Sequence, residues 1–203
     1  FNQIKSYPSA IAGLAIIALM IGLAIYAMIA IPYDQAVALW RGGDNVWLET
    51  PRNARPAWLN YFLKEKLPVT IVMKSKEDPS LKSVVELGGG VSTSDIVFEF
   101  DYQYDGFPTE LSLFFNTTYQ SARPNASVKW ITPDGRTIHL TDMTLRNQET
   151  YRLSQDSRVQ RQLGGALPEK GLFADPQNPD KVNKGTYQVV VEGLVFEEDS
   201  NLD

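Results

Sequence analysis

The sequence predicts a single N-terminal transmembrane α-helix followed by a mostly-β extracytoplasmic domain, an antiparallel β-sandwich with one or two short helices. Three observations carry this. No charged residue stands between Lys5 and Asp34. Short runs downstream alternate apolar and polar residues with the period of a strand. Turn-forming Gly, Pro and Asp punctuate those runs.

The apolar run is Ala10–Ile31, AIAGLAIIALMIGLAIYAMIAI. At about 1.5 Å per residue it makes a helix of about 33 Å, enough to cross a hydrocarbon core of about 30 Å. Its apolar residues run all round the helix, unlike the single stripe of a surface helix. The run exceeds the apolar stretch of a cleaved signal peptide, roughly 7–15 residues, and reads as an uncleaved anchor. Pro32 ends it. Tyr7 before it and Tyr33 after it suit the two interfacial belts. The span opens at Ala10. Within it, Ala18 and Gly22 form a small-xxx-small pair, and Gly13, Ala15, Ala24, Ala27 and Ala30 add small positions where another helix can approach closely in lipid. Lys5 before the span and Arg41 after it leave the orientation nearly balanced by charge.

The organisation expected is an anchor over 1–33, a juxtamembrane connector over 34–68 and a β-sandwich-like domain over 69–203. Within the connector, Ala57–Lys66 (AWLNYFLKEK) is expected to form a short amphipathic helix. Trp58, Tyr61 and Phe62 then sit at the lipid interface, or the helix simply packs on the domain. Strands are expected at Val69–Lys74, Ile96–Tyr104, Glu110–Tyr119, Ser127–Ile131, Arg136–Thr141 and Thr186–Phe196. The fourth and fifth of the series frame a Thr-Pro-Asp-Gly hairpin turn at 132–135, where Pro presets φ and Gly accepts a positive φ. In Ile96–Tyr104, the residues Ile96, Phe98, Phe100, Tyr102 and Tyr104 share one face, and Glu99 and Asp101 the other. Gln155–Leu163 is expected to be a helix.

Composition excludes several chemistries. The 203 residues include no Cys and one His, which removes disulfides, thiolate metal sites and any multi-His centre. A net charge of −5 argues against nucleic acid as a partner. Glu99 and Asp101, about 7 Å apart on a strand face, have the residue types for acid–base work on a glycoside, but read better as a solvated face. His139 lacks an identifiable nucleophile or orienting partner. Asp175, Asn178 and Asp180 offer oxygen ligands without the calcium-loop spacing or its closing Glu. Gly88–Gly90 lacks the Lys-Ser/Thr of a phosphate loop. Asn116 and Asn125 open glycosylation sequons. No catalytic, metal or cofactor set emerges.

The stretch YPSAIAGLAIIALMIGLAIYAMIAIPYD (Tyr7–Asp34) resembles the first membrane segment of permease subunits of dipeptide/oligopeptide ABC importers. Pro8, Ala10, Gly13, Pro32, Tyr33 and Asp34 stand in the matching places. TPRNARPAWLNYF (Thr50–Phe62) resembles a segment that follows the first helix in permeases with a large extracytoplasmic insert. The resemblance implies a plasma-membrane protein with a cytoplasmic N-terminus and the bulk of the chain outside. It also implies a second permease, ABC ATPase subunits and a substrate-binding protein as partners. The chain departs from the family in having one span and no ATPase-coupling loop. One span does not enclose a pathway. The chain is therefore expected to be a piece of a longer permease or, alternatively, a single-span accessory subunit bracing a larger membrane complex.

Overall fold

The computed structural model describes residues 8–42, 54–197 and 200–203. The chain divides into two compact units, Phe1–Thr50 and Pro51–Asp203.

The first unit holds two helices. Helix α1 spans Pro8–Ala30. Proline suits a helix start because the first backbone N–H groups have no intrahelical acceptor. The apolar helix ends at Pro32 as expected, and a second helix, α2, begins at once beyond it and spans Tyr33–Arg41. Pro32 sits at φ −56° and ψ 142°, outside the helical region, and its carbonyl accepts from Ala36 N at 3.0 Å. The same ring that breaks α1 thus stands as the N-cap of α2.

The second unit is built from antiparallel strands: β1 Lys82–Gly88, β2 Val91–Tyr102, β3 Ser112–Thr118, β4 Asn125–Ile131, β5 Thr137–Thr144, β6 Gln148–Arg152, β7 Gly185–Val195 and β8 Asn201–Leu202. One sheet has the order β1-β2-β7-β4-β5, the other β6-β3-β8. Two short helices, α3 Ser157–Gln162 and α4 Pro168–Gly171, lie in the long connection from β6 to β7. This is the mostly-β, antiparallel architecture that the strand spacing predicts.

One core serves both sheets. Ile96, Val128, Trp130, Tyr187 and Val191 come from the larger sheet, Phe115, Tyr151 and Leu202 from the smaller, and Val159, Leu172 and Phe173 from the β6–β7 connection. Its centre is aromatic. The Phe173 ring lies 4.6 Å from Tyr102, 4.7 Å from Tyr187 and 5.2 Å from Trp130, centroid to centroid. The alternation read in Ile96–Tyr104 holds: Ile96 and Tyr102 are buried, Phe98, Phe100 and Tyr104 pack on the core, and Glu99 and Asp101 are exposed. Gly193 is required by packing. A Cβ there would collide with Leu202 Cδ2 and stand 2.9 Å from Ser94 O, so glycine lets β8 close over β7.

Two expected elements are not formed. Val69–Lys74 belongs to no strand. The place beside β2 is taken by β1, which reaches it through the Gly88–Gly90 turn, with φ of 89°, 66° and 80°. That hairpin closes a very short loop, at little entropic cost. Ala57–Lys66 is not an amphipathic α-helix but a 3-10 turn over Ala57–Tyr61. The Asn60 side chain explains its arrest. Its Nδ2 donates to Leu67 O and its Oδ1 accepts from Leu67 N, both at 2.9 Å, which turns the chain back. Pro68 then disfavours a helical Leu67. Asp105 N donates to Lys66 O, and Lys66 N donates to the Asp105 carboxylate, which fastens this segment to the β2–β3 loop.

Candidate functional site

Among the described residues, one helix, α1, is long and apolar enough to cross a membrane. Its 23 residues reach about 34 Å at about 1.5 Å each. Leu14, Ile17, Leu19, Met20, Ile21, Leu23, Ile25, Met28 and Ile29 are all more than half exposed. They point in every direction around the axis. Burying one such side chain is worth about 1.5–3 kcal/mol, so an apolar surrounding would stabilise a column of them strongly. Satisfied backbone and apolar flanks are the two conditions a bilayer imposes.

Helical geometry sorts the small residues. Ala15, Ala18 and Gly22 fall within about 60° of arc and form one stripe, while Gly13 lies about 160° away, near Ala24 and Ala27. A Cβ added at Gly13 or Gly22 would meet nothing within 4 Å, so both backbones are open to close approach. Ile31 lies in the two-residue link after α1. Tyr7 and the side chain of Ala10 lie outside the described residues.

The proposed interfacial aromatics fall in separate units. Tyr33 opens α2, in the first. Trp58 and Tyr61 belong to the 3-10 turn of the second, with Phe62 at its end. Trp58 and Phe62 meet edge to face at 6.3 Å, and Tyr61 and Phe62 are almost fully exposed.

The residues weighed for chemistry are dispersed. Glu99 accepts from Gln188 Nε2 at 2.7 Å and Asp101 from Gln103 Nε2 at 2.8 Å, so each carboxylate has its own amide partner on the open sheet face. Asp175 and Asn178 accept backbone N–H groups of Gln177 and Asp180 within their own loop, and Asp180 pairs with Lys170. Among the described residues, no group of three or more His, Asp or Glu is placed to hold a metal. Asn116 and Asn125 are exposed strand residues, and Asn125 Oδ1 accepts from Thr144.

His139 acquires partners that strand alternation hides. Residues 139 and 142 would ordinarily face opposite ways. A bulge opposite Val128 and Lys129 inserts Leu140 into β5 and returns both to the outer face. His139 Nε2 then lies 2.9 Å from Asp142 Oδ1 and 3.4 Å from Ser127 Oγ. Hydrogen bonds from His139 and Ser127 hold the Asp142 carboxyl below its ordinary range. Both partners share one ring nitrogen. A nucleophile relay needs the hydroxyl on one nitrogen and the carboxylate on the other, so this trio is a surface hydrogen-bonded cluster rather than a relay.

Among the described residues, Glu197 is the carboxylate with the strongest shift. It accepts from the backbone N–H groups of Gln120, Ser121 and Ala122 at 2.6–2.8 Å, and from the hydroxyls of Ser121 and Ser200. These bonds, the Ser121 hydroxyl first, lower its pKa to about 2. The depressed value means that the latch is fully present above the ordinary carboxylate range and is lost as pH falls toward about 2. The protection of amides 120–122, measured against the intrinsic exchange rate at each pH, is therefore expected to fall on acidification. Glu197→Gln is expected to show severalfold faster exchange there at neutral pH, with no further acid step. Identical exchange in both proteins would contradict the latch. No signal in the sequence marks Glu197, because its donors lie on another loop.

No family model, curated protein or solved structure matches this chain.

Proposed function

We propose that this chain is the membrane-anchored part of a peptide importer of the ABC permease type. In this reading α1 packs among other membrane helices, and the β unit caps or docks outside the plasma membrane. The N-terminus is cytoplasmic and the bulk of the chain extracytoplasmic. The observation that carries the reading is α1 itself, charge-free and with exposed apolar side chains on every side. The motif residues of Tyr7–Asp34 add the transport assignment, and the Ala15, Ala18 and Gly22 stripe offers a seam for a neighbouring helix.

A signal sequence meets the same test of length and composition. Cleavage would leave a protein that starts beyond α1, so N-terminal sequencing of the membrane-bound chain is expected to read through the apolar run.

The second reading is a single-span accessory subunit, favoured by the one candidate span among the described residues. Purification in mild detergent followed by mass spectrometry separates the two. Stoichiometric ABC ATPase and a second permease are expected under the first reading. A different stoichiometric complex without an ATPase overturns it in favour of the second.

A further inference from the structure

Helix α2 has an apolar face that the proposed function leaves unused. At about 100° per residue, Tyr33, Ala36, Val37 and Trp40 fall within about 100° of arc, while Gln35 and Ala38 lie on the opposite side. Tyr33 and Trp40 are 81% and 90% exposed. The shallow groove along this face is lined by Tyr33, Ala36, Val37, Trp40 and Arg41, all from α2.

We propose that α2 lies in the plane of the bilayer surface, with this face seated at the boundary between lipid headgroups and acyl chains. The inference rests on the membrane reading of α1. Continuity selects lipid as the occupant. Only Ile31 and Pro32 separate the two helices. At no more than about 3.6 Å per residue, that link keeps the start of α2 within about 11 Å of the end of α1. A span ending at the headgroups therefore delivers α2 to them. The nine residues of α2 measure about 14 Å, too short to cross. The side chains fit that depth: Tyr and Trp carry an apolar ring with a polar tip, the combination enriched at membrane interfaces. Asp34 and Arg41 lie together beside one edge of the arc, where an Arg head reaches phosphate while its stem stays in the apolar layer. Helix α2 would then fix the depth and rotation of the anchor as a float on the outer surface.

The chain has no cysteine, so single-Cys variants carry a nitroxide label without background. Labels are placed by Ala36→Cys and Val37→Cys on the apolar face, which keep Tyr33 and Trp40, by Gln35→Cys and Ala38→Cys opposite, and by Met20→Cys in α1. The full chain is reconstituted in phosphatidylethanolamine–phosphatidylglycerol vesicles. Accessibility to oxygen and to a water-soluble nickel chelate is then read by power saturation. The expected result is a severalfold higher oxygen-to-nickel ratio at 36 and 37 than at 35 and 38, with 20 the highest. If 20 reads lipid but 36 and 37 match 35 and 38, the inference is overturned and the span stands. If 36 and 37 are shielded from both reagents, protein covers the face and the inference is overturned. If 20 reads water, the membrane reading itself fails, and the inference with it.

Discussion

Replacing Met20 and Leu23 by Lys is expected to release the chain from the membrane. Both side chains lie near the middle of α1 and are exposed on the unpartnered helix. A charged side chain at the centre of a span costs about 2.5–3.5 kcal/mol, so the pair shifts insertion by about 5–7 kcal/mol. That is more than about a thousandfold in the equilibrium. Alkaline carbonate extraction followed by immunoblotting reads the change. The unaltered chain is expected in the pellet and the double variant in the supernatant. Met20→Leu with Leu23→Ile keeps the apolar surface and is expected to stay in the pellet. The aromatic core belongs wholly to the second unit, so its near-ultraviolet circular dichroism is expected to be unchanged. Retention of the double Lys variant in the pellet would remove the anchor from α1.

The largest effect on folding is expected from Phe173→Ala. Phe173 is 1% exposed, and Phe100, Tyr102, Trp130 and Tyr187 all touch its ring. Removing a buried aromatic ring costs about 3–5 kcal/mol, from lost burial and the cavity left behind. Domains are stable by only about 5–15 kcal/mol, so the variant loses a large share of the whole. Urea unfolding of the detergent-solubilised chain, followed by tryptophan fluorescence, is expected to show a correspondingly lower midpoint. Trp58→Ala removes a side chain of similar size that is more than half exposed, and a much smaller change is expected. Equal losses would contradict the placement of the core.

The contrast between these two residues shows what is legible in a sequence. Helix α1 is legible because its signal is composition over one continuous stretch. Strand β2 is legible because its inward residues recur every second position over most of its length. Strand β1 is not, because Val84 and Val85 are adjacent and both exposed, which erases the alternation. Strand β8 has two residues and exists only through its partners Thr117 and Thr118. Its place is held from outside, by Lys82 Nζ bonding Asn201 Oδ1, Leu202 O and Asp203 Oδ1. The expected helix at Gln155–Leu163 forms as α3, with Asp156 capping it through Arg158 N. The connector expected over 34–68 does not include helix α2, whose Tyr33, Ala36, Val37 and Trp40 recur with a helical period over only nine residues. The His139–Asp142 pair depends on a bulge, and the Glu197 latch on a distant loop. Neither arises from local periodicity.

The proposed function requires α1 to anchor the chain in the membrane with the β unit outside. The natural absence of cysteine makes that directly measurable. Gln177→Cys places a thiol in an exposed loop of the β unit, and Gln3→Cys places one before α1. Spheroplasts are treated with a membrane-impermeant maleimide before and after lysis, and membranes are then collected. The account predicts that the chain sediments with the membranes, that position 177 is labelled before lysis, and that position 3 is labelled only after it. Labelling of position 3 with protection of 177, or recovery of the chain with intact α1 in the soluble fraction, would contradict it.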